Sequence, residues 1–137
     1  MKLERLEGLN TLNIKKLIIT EVMSNLEDAT YYNPYEVRAN LCLIYATLFG
    51  NTETHQEMSR KDIDWLDFVE KVNILVDEIE KGDFALQHKE VVETLEDCIK
   101  QQLEYKRSIS GIFSEIGKLF NEDILVKIKE AMNTKGE

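Results

Sequence analysis

Acidic side chains at helical spacing are the first residues of this sequence that could do chemistry. Asp67 and Glu70 are three residues apart, and Glu93, Glu96 and Asp97 repeat that spacing further along the chain. Such groups on two facing helices can hold Mg²⁺, provided that the carboxylates point into the bundle. The second group lies opposite the apolar side of its own helix, as a solvated surface does. A small Mg²⁺-dependent all-α hydrolase is therefore only a second alternative, and we expect no catalytic residue, no metal and no cofactor.

The histidines and cysteines do not form a recognisable catalytic or metal-binding pattern. Neither His55 nor His88 follows a glutamate by three residues, and the cysteines have no CxxC spacing, which argues against di-iron and zinc sites. His88 occupies an apolar helical position, and we interpret it as a half-buried structural residue. Cys42 and Cys98 lie within apolar helical rows. Their placement is typical of buried free thiols and predicts a cytoplasmic location.

The most regular feature of the chain is an apolar row in its second half. Its positions alternate at spacings of three and four residues, which keeps one side of a helix facing a partner helix. A second row at Val92, Ile99, Phe113 and Phe120 widens this side to that of a helix bundle. The pattern predicts a long, continuous or bent helix over about 84–120. The alternative is a break into two helices near 108–111, where helix propensity is weakest, but the seven-residue phase runs through this stretch without slipping. We call its members the heptad row: Phe84, His88, Val91, Leu95, Cys98, Gln102, Tyr105, Ile109, Ile112, Ile116 and Leu119.

Gln102 is a polar interruption in the middle of the heptad row. A lone polar residue in such a row can fix the register or the oligomeric state of packed helices. Alternatively, its side chain reaches solvent at the edge of the bundle. The sequence does not decide between these two interpretations.

Three further helices complete an all-α fold of four to five helices in one domain over 1–137. The first is predicted from Asn10 or Thr11 to about Asp28. The second begins at the capping sequence Asn33-Pro34 and ends at Gly50. We predict a polar loop over 51–58, a capping-box start at Ser59 and Asp62, and then a helix with a core stripe from Trp65 to Ile79.

Some apolar residues are misplaced for a monomer. Ile63, Leu66 and Ile74 lie opposite the core stripe of their helix, where polar residues are expected. The distal part of the heptad row also extends the helix beyond the length that a compact domain of this size needs. These residues predict an interface with a second copy or another protein. We call the part of this interface that lies on the long helix the distal row: Tyr105, Ile109, Ile112, Ile116 and Leu119.

Charge is concentrated in the middle of the chain. The net charge is −9, and residues 51–104 hold fifteen acidic and six basic residues. Such a region is a poor ligand for nucleic acid but suits a basic protein surface. The alternative prediction is therefore an inhibitor that mimics nucleic acid through an acidic surface at Asp67, Glu70, Asp77, Glu93, Glu96 and Asp97.

An aromatic cluster near the start of the second helix contains Tyr31, Tyr32 and Tyr35, with Arg38 one turn later. Such clusters can stack on bases or anchor a partner protein. The acidic surroundings argue against nucleic acid, and packing at the helix start is the simpler interpretation.

Taken together, these patterns favour a non-enzymatic interaction protein, such as an assembly factor, adaptor or regulatory subunit. We expect it to form a homodimer, to bind another protein, or both. No stretch has the length of a membrane span, and no apolar segment suited to secretion follows the charged N-terminus. Direct binding to nucleic acid or to a membrane is not expected.

Overall fold

The structure is a computed structural model that describes residues 1–26, 33–119 and Glu130. For Ser110 and for residues 113–119 it describes the helical backbone without the side chains. The packing of Cα atoms divides the chain into two compact units, Met1–Ile99 and Lys100–Glu137.

The described residues form an all-α fold. A short 3₁₀ helix over Leu6–Asn10 precedes five α-helices, and the only β-type pairing in the described ranges is an isolated bridge between Leu3 and Gly50. The helices are α1 (Leu12–Asn25), α2 (Pro34–Phe49), α3 (Thr52–Met58), α4 (Trp65–Ile79) and α5 (Ala85–Leu119).

The predicted helix starts and stops are confirmed for α2. The Asn33 side chain accepts a hydrogen bond from the Tyr35 backbone N–H at 2.9 Å, and Pro34 occupies the first helical position. The Asn33 side chain pairs with one of the free backbone N–H groups at the helix start, and Pro34 has no N–H to leave unpaired. Gly50 follows the last helical residue, as predicted, but its backbone is extended (φ −63°) and is not the left-handed stop that glycine at this position predicts.

The long helix predicted over 84–120 is also confirmed. α5 runs without interruption from Ala85 to Leu119, through the weak helix-forming stretch at 108–111. The residues of the heptad row therefore keep their seven-residue spacing along one helix, as expected when no loop interrupts it.

The segment between α2 and α4 differs from the prediction. Residues 52–58 form the short helix α3 instead of a polar loop, and Asn51 caps it by accepting from the Thr54 N–H at 2.9 Å. Ser59 ends α3 and Asp62 precedes α4, so the predicted capping box is wrong. The cap of α4 is Asp64, whose carboxylate accepts from the Leu66 and Asp67 backbone N–H groups.

α2 lies in the middle of the first unit. It packs against α1, α3 and α4, and its Tyr45 side chain contacts His88 of α5. This central position explains why α2 is apolar on most of its circumference. The buried core takes side chains from the 3₁₀ helix, from α1 and the residue that follows it, and from α2, α4 and α5: Leu9, Ile18, Val22, Leu26, Leu41, Cys42, Tyr45, Ala46, Phe49, Phe68, Val72, Val76, Ile79, Val91 and Leu95.

The N-terminal segment closes the junction between α2 and α3. The Lys2 carbonyl accepts from the Asn51 N–H at 3.1 Å and from the buried Thr54 hydroxyl at 3.2 Å. The Glu4 N–H donates to the carbonyl of Phe49. This junction leaves no room at Gly50, where an added Cβ would lie 2.3 Å from the Ala46 carbonyl oxygen.

Candidate functional site

The heptad row is covered by core side chains in the first unit. His88, Val91 and Leu95 are almost fully buried, and Phe84 packs against the same core. This part of the row performs an ordinary structural role. It packs α5 within its own unit.

Two of the three distal-row side chains that the structure describes, in the second unit, are exposed. Tyr105 is 66% exposed and Ile112 is 56% exposed, while Ile109 is half-buried. Ile116 and Leu119 lie on the described backbone of α5, but their side chains are outside the described part. The distal row therefore continues the helical spacing of the heptad row, with two exposed apolar members.

α4 presents a second exposed apolar surface. Leu66 is 81% exposed and Ile74 is 61% exposed, on the side of α4 away from Val72 and Val76. Ile63, the third residue predicted here, precedes α4 and is half-buried against the core. The exposed apolar surface of α4 therefore consists of Leu66 and Ile74 without Ile63.

All six carboxylates predicted for an acidic surface are exposed, on α4 and on α5. Three of them pair with cations of the same chain. Asp67 lies 3.2 Å from Lys71, Asp77 lies 3.0 Å from Arg38, and Glu93 lies 3.8 Å from Lys89. Within the described residues, Glu70, Glu96 and Asp97 have no such ion pair. Exposed pairs of this kind contribute little to the stability of the fold. They nevertheless offset part of the negative charge of the surface on which they lie.

A polar cluster joins α2, the C-terminal end of α4 and α5, with Asp77 and Glu80 exposed and His88 buried. The Arg38 guanidinium donates to Asn73 Oδ1 at 2.7 Å, to Asp77 Oδ1 at 3.0 Å and to Glu80 Oε1 at 2.9 Å. His88 Nε2 lies 3.4 Å from the same Glu80 oxygen. We call these residues, with Tyr45, the Arg38 cluster.

The Arg38 cluster is not indicated as a unit by the sequence, and it corrects one interpretation. Arg38 donates to residues of this cluster, and Tyr35 is 85% exposed; Tyr31 and Tyr32 lie outside the described residues, so the aromatic cluster stays a prediction. His88 is 2% exposed and therefore buried, where the sequence predicted a half-buried residue.

The tautomer of His88 follows from its neighbours. Tyr45 is fully buried, and its hydroxyl lies 2.7 Å from His88 Nδ1. Burial raises the pKa of Tyr45, so its hydroxyl keeps its proton and donates it to Nδ1. Nε2 then carries the imidazole proton and points towards Glu80. Burial also lowers the pKa of His88, against the opposing influence of Glu80, so the ring is neutral at neutral pH.

This arrangement is suited to holding helices together. Burial raises the pKa of the Cys42 thiol, so it is a poor nucleophile. The carboxylate of Glu80 is already bound by Arg38, which lowers its pKa. In the described ranges, no group of three or more His, Cys, Asp or Glu side chains is arranged to hold a metal ion.

Two further observations concern the cysteines and the membrane. Cys42 is buried, Cys98 is half-buried, and both are free thiols. None of the helices in the described part of the chain is long and apolar enough to cross a lipid bilayer.

Comparison with other proteins returns no relative for this chain: no protein-family model, no curated protein and no solved structure matches it.

Proposed function

We propose that this protein is a non-enzymatic interaction protein that works by packing its helices against other chains, and that it forms a homodimer along the distal row. The observation that carries the proposal is the exposure of Tyr105 and Ile112 on a helix that runs uninterrupted from Ala85 to Leu119. The free thiols of Cys42 and Cys98 suit a reducing compartment such as the cytoplasm.

A second copy is the occupant that the pattern of the distal row favours. Heptad spacing places its residues on one side of α5, where each can insert between side chains of a facing helix with the same repeat. The same helix already uses this spacing to pack Val91 and Leu95 within the first unit. An identical α5 from another chain offers a matching repeat.

The test is the mass of the full chain in solution, measured by size-exclusion chromatography with light scattering. From about 5 µM to about 200 µM, we expect the wild-type protein to approach twice the 16.0 kDa of one chain. The variant Ile112→Glu places a charge in the proposed interface and should remain at the mass of one chain. Because Ile112 is exposed in the single chain, this change should leave the circular dichroism spectrum unaltered.

The matched control is Leu12→Glu, which introduces the same charge at a 77% exposed leucine of α1. This variant should dimerise like the wild type. A wild-type protein that stays monomeric over the whole range contradicts the proposal, and so does an Ile112→Glu variant that dimerises as well as the control.

A second candidate function is an acidic inhibitor that mimics nucleic acid on a basic protein. It is favoured by the exposed carboxylates of Glu70, Glu96 and Asp97, which have no ion pair within the described residues. The pairing of the other three predicted carboxylates weakens this candidate. Its signature would be salt-sensitive binding to a basic nucleic-acid-binding protein that Glu96→Gln with Asp97→Gln abolishes and Ile112→Glu leaves unchanged.

A further inference from the structure

The outward side of α4 combines exposed apolar and acidic residues in a way that the dimer of α5 does not explain. With 3.6 residues per turn, six exposed residues fall on the side opposite Phe68, Val72 and Val76. We call them the outer face of α4: Leu66, Asp67, Glu70, Ile74, Asp77 and Glu78.

The two apolar residues of this face are placed as anchors. Leu66 and Ile74 are eight residues apart, about 12 Å along the helix axis at 1.5 Å per residue. Both are more than half exposed. Glu70 lies between them on the same side of α4, one turn from each. A helix laid across this face would bury two apolar side chains that are separated by about two of its own turns, of 5.4 Å each.

The four carboxylates make the outer face of α4 negative, and this charge favours a positively charged partner. The outer face contains no lysine or arginine; Lys71, at its edge, pairs with Asp67 at 3.2 Å. Asp77 pairs with Arg38, whereas Glu70 and Glu78 have no ion pair among the described residues. A second acidic face or an anionic membrane would be repelled by this surface, and basic side chains would be attracted.

We propose that the outer face of α4 binds an amphipathic helix of a partner protein, with apolar residues that cover Leu66 and Ile74 and with lysine or arginine residues that face Glu70 and Glu78. Helices of this kind are recognised by anchors at successive turns, with charges at the rim setting orientation and specificity. The site lies on α4 in the first unit, whereas the dimer proposed above uses the distal row in the second unit.

The experiment uses the full-length protein and fluorescently labelled helical peptides of about 18 residues, which is five turns. One peptide carries leucine at positions i, i+4 and i+7 with lysine and arginine beside them. A second peptide has the same leucines with glutamate in place of each basic residue, and a third is a scrambled version of the first. Anisotropy should report binding of the first peptide alone, weakening as the ionic strength rises from about 0.05 M to about 0.5 M.

Variants of exposed residues then locate the binding site. Ile74→Ser and Leu66→Ser should each weaken binding of the basic peptide by about tenfold or more, as expected for central anchors. The control Leu12→Ser removes an equally exposed leucine from α1 and should bind like the wild type. Glu70→Gln with Glu78→Gln should weaken binding and flatten its salt dependence, whereas Glu93→Gln with Glu96→Gln on α5 should change neither.

Several outcomes would overturn the inference. Equal binding of the acidic or scrambled peptide, or unchanged affinity in both serine variants, shows that the outer face is not the site. A loss of dimer mass in Ile74→Ser, without a change in peptide affinity, assigns the face to a second copy instead. The monomeric variant Ile112→Glu should still bind the basic peptide. Light scattering therefore tests the dimer, and peptide binding by this variant tests the outer face of α4 separately.

Discussion

Glu80 lies between two side chains that compete for its negative charge. Arg38 donates to Glu80 Oε1 at 2.9 Å, and His88 Nε2 lies 3.4 Å from the same oxygen. The hydrogen bond from Arg38 is the main reason that the pKa of Glu80 is lowered. Since burial lowers the pKa of His88, the favoured state at neutral pH is a charged arginine, a charged glutamate and a neutral histidine.

This state predicts that acid weakens the fold in two steps. His88 takes up a proton more readily in the unfolded chain than in the native one, so the free energy of unfolding falls as the pH drops below about 6.5. Glu80 adds a further loss below about pH 4.5, where the unfolded carboxylate is protonated first. Urea denaturation followed by circular dichroism at a series of pH values measures both steps.

The variant His88→Asn separates the first step from the second. Asparagine can still accept a hydrogen bond from Tyr45 but does not titrate, so the variant should be less stable at neutral pH and nearly independent of pH between about 7.5 and about 5. A variant that keeps the full wild-type slope in this range would show that His88 is not its source.

Gly50 gives a steric prediction at the junction of α2 and α3. An added Cβ would lie 2.3 Å from the Ala46 carbonyl oxygen and 2.7 Å from Thr54 Cγ2, while the φ of −63° is ordinary. Gly50→Ala should therefore lower the free energy of unfolding by about 1–3 kcal/mol through overpacking. In the matched variant Gly82→Ala, the new Cβ meets its nearest atom at 3.4 Å. Chemical denaturation should find that control within about 1 kcal/mol of the wild type, and equal stability of the two variants would contradict the steric argument.

The residues of the Arg38 cluster could be predicted only in part. His88 was recognisable as a polar interruption of the heptad row. The signal for the rest lies on α4, where Asn73, Asp77 and Glu80 follow one stripe at spacings of four and three residues beside the core. Their partner Arg38 is 35 to 42 residues away in sequence, and only the packing of α2 on α4 brings it to them.

At the scale of helices, the start of α4 is set by Asp64. Its carboxylate accepts from two backbone N–H groups, which otherwise have no partner within the helix. Asp64→Ala should lower the free energy of unfolding by about 1 kcal/mol. Asp62→Ala is the matched control, because Asp62 is an exposed carboxylate that pairs with Arg60 outside the helix. Thermal or urea unfolding that finds the two variants equally stable would show that the cap at Asp64 contributes nothing.

The error over residues 51–64 has a physical cause. α3 reads Thr-Glu-Thr-His-Gln-Glu-Met, which has no apolar periodicity to indicate a helix. It is held by the Asn51 cap and by burial of Thr54 against the N-terminal segment, and neither contact is visible in local spacing. Without α3, the spacing of Ser59 and Asp62 indicates a helix start, although Ser59 in fact follows the end of a helix. The longer helices were predictable because their apolar stripes repeat over several turns.

At the scale of the molecule, the two surfaces proposed for binding differ in chemistry. The distal row is apolar at each of its five positions, whereas the outer face of α4 surrounds Leu66 and Ile74 with carboxylates. An apolar row suits an identical copy, since it carries no charge that would repel itself. An acidic face of a chain with a net charge of −9 suits a basic partner. The sequence indicated both surfaces, but only exposure in the folded chain separated Leu66 and Ile74 from the half-buried Ile63.

The central claim is that the distal row is covered by a second copy of this chain in solution. Hydrogen–deuterium exchange of the full-length protein at about 1 µM and about 100 µM, followed by mass spectrometry of peptides over 105–119, tests it most directly. The account predicts slower exchange at the higher concentration in these peptides, unchanged exchange over α2, and no concentration effect in Ile112→Glu. Equal exchange over 105–119 at both concentrations, in a protein shown to have the mass of one chain, would contradict it.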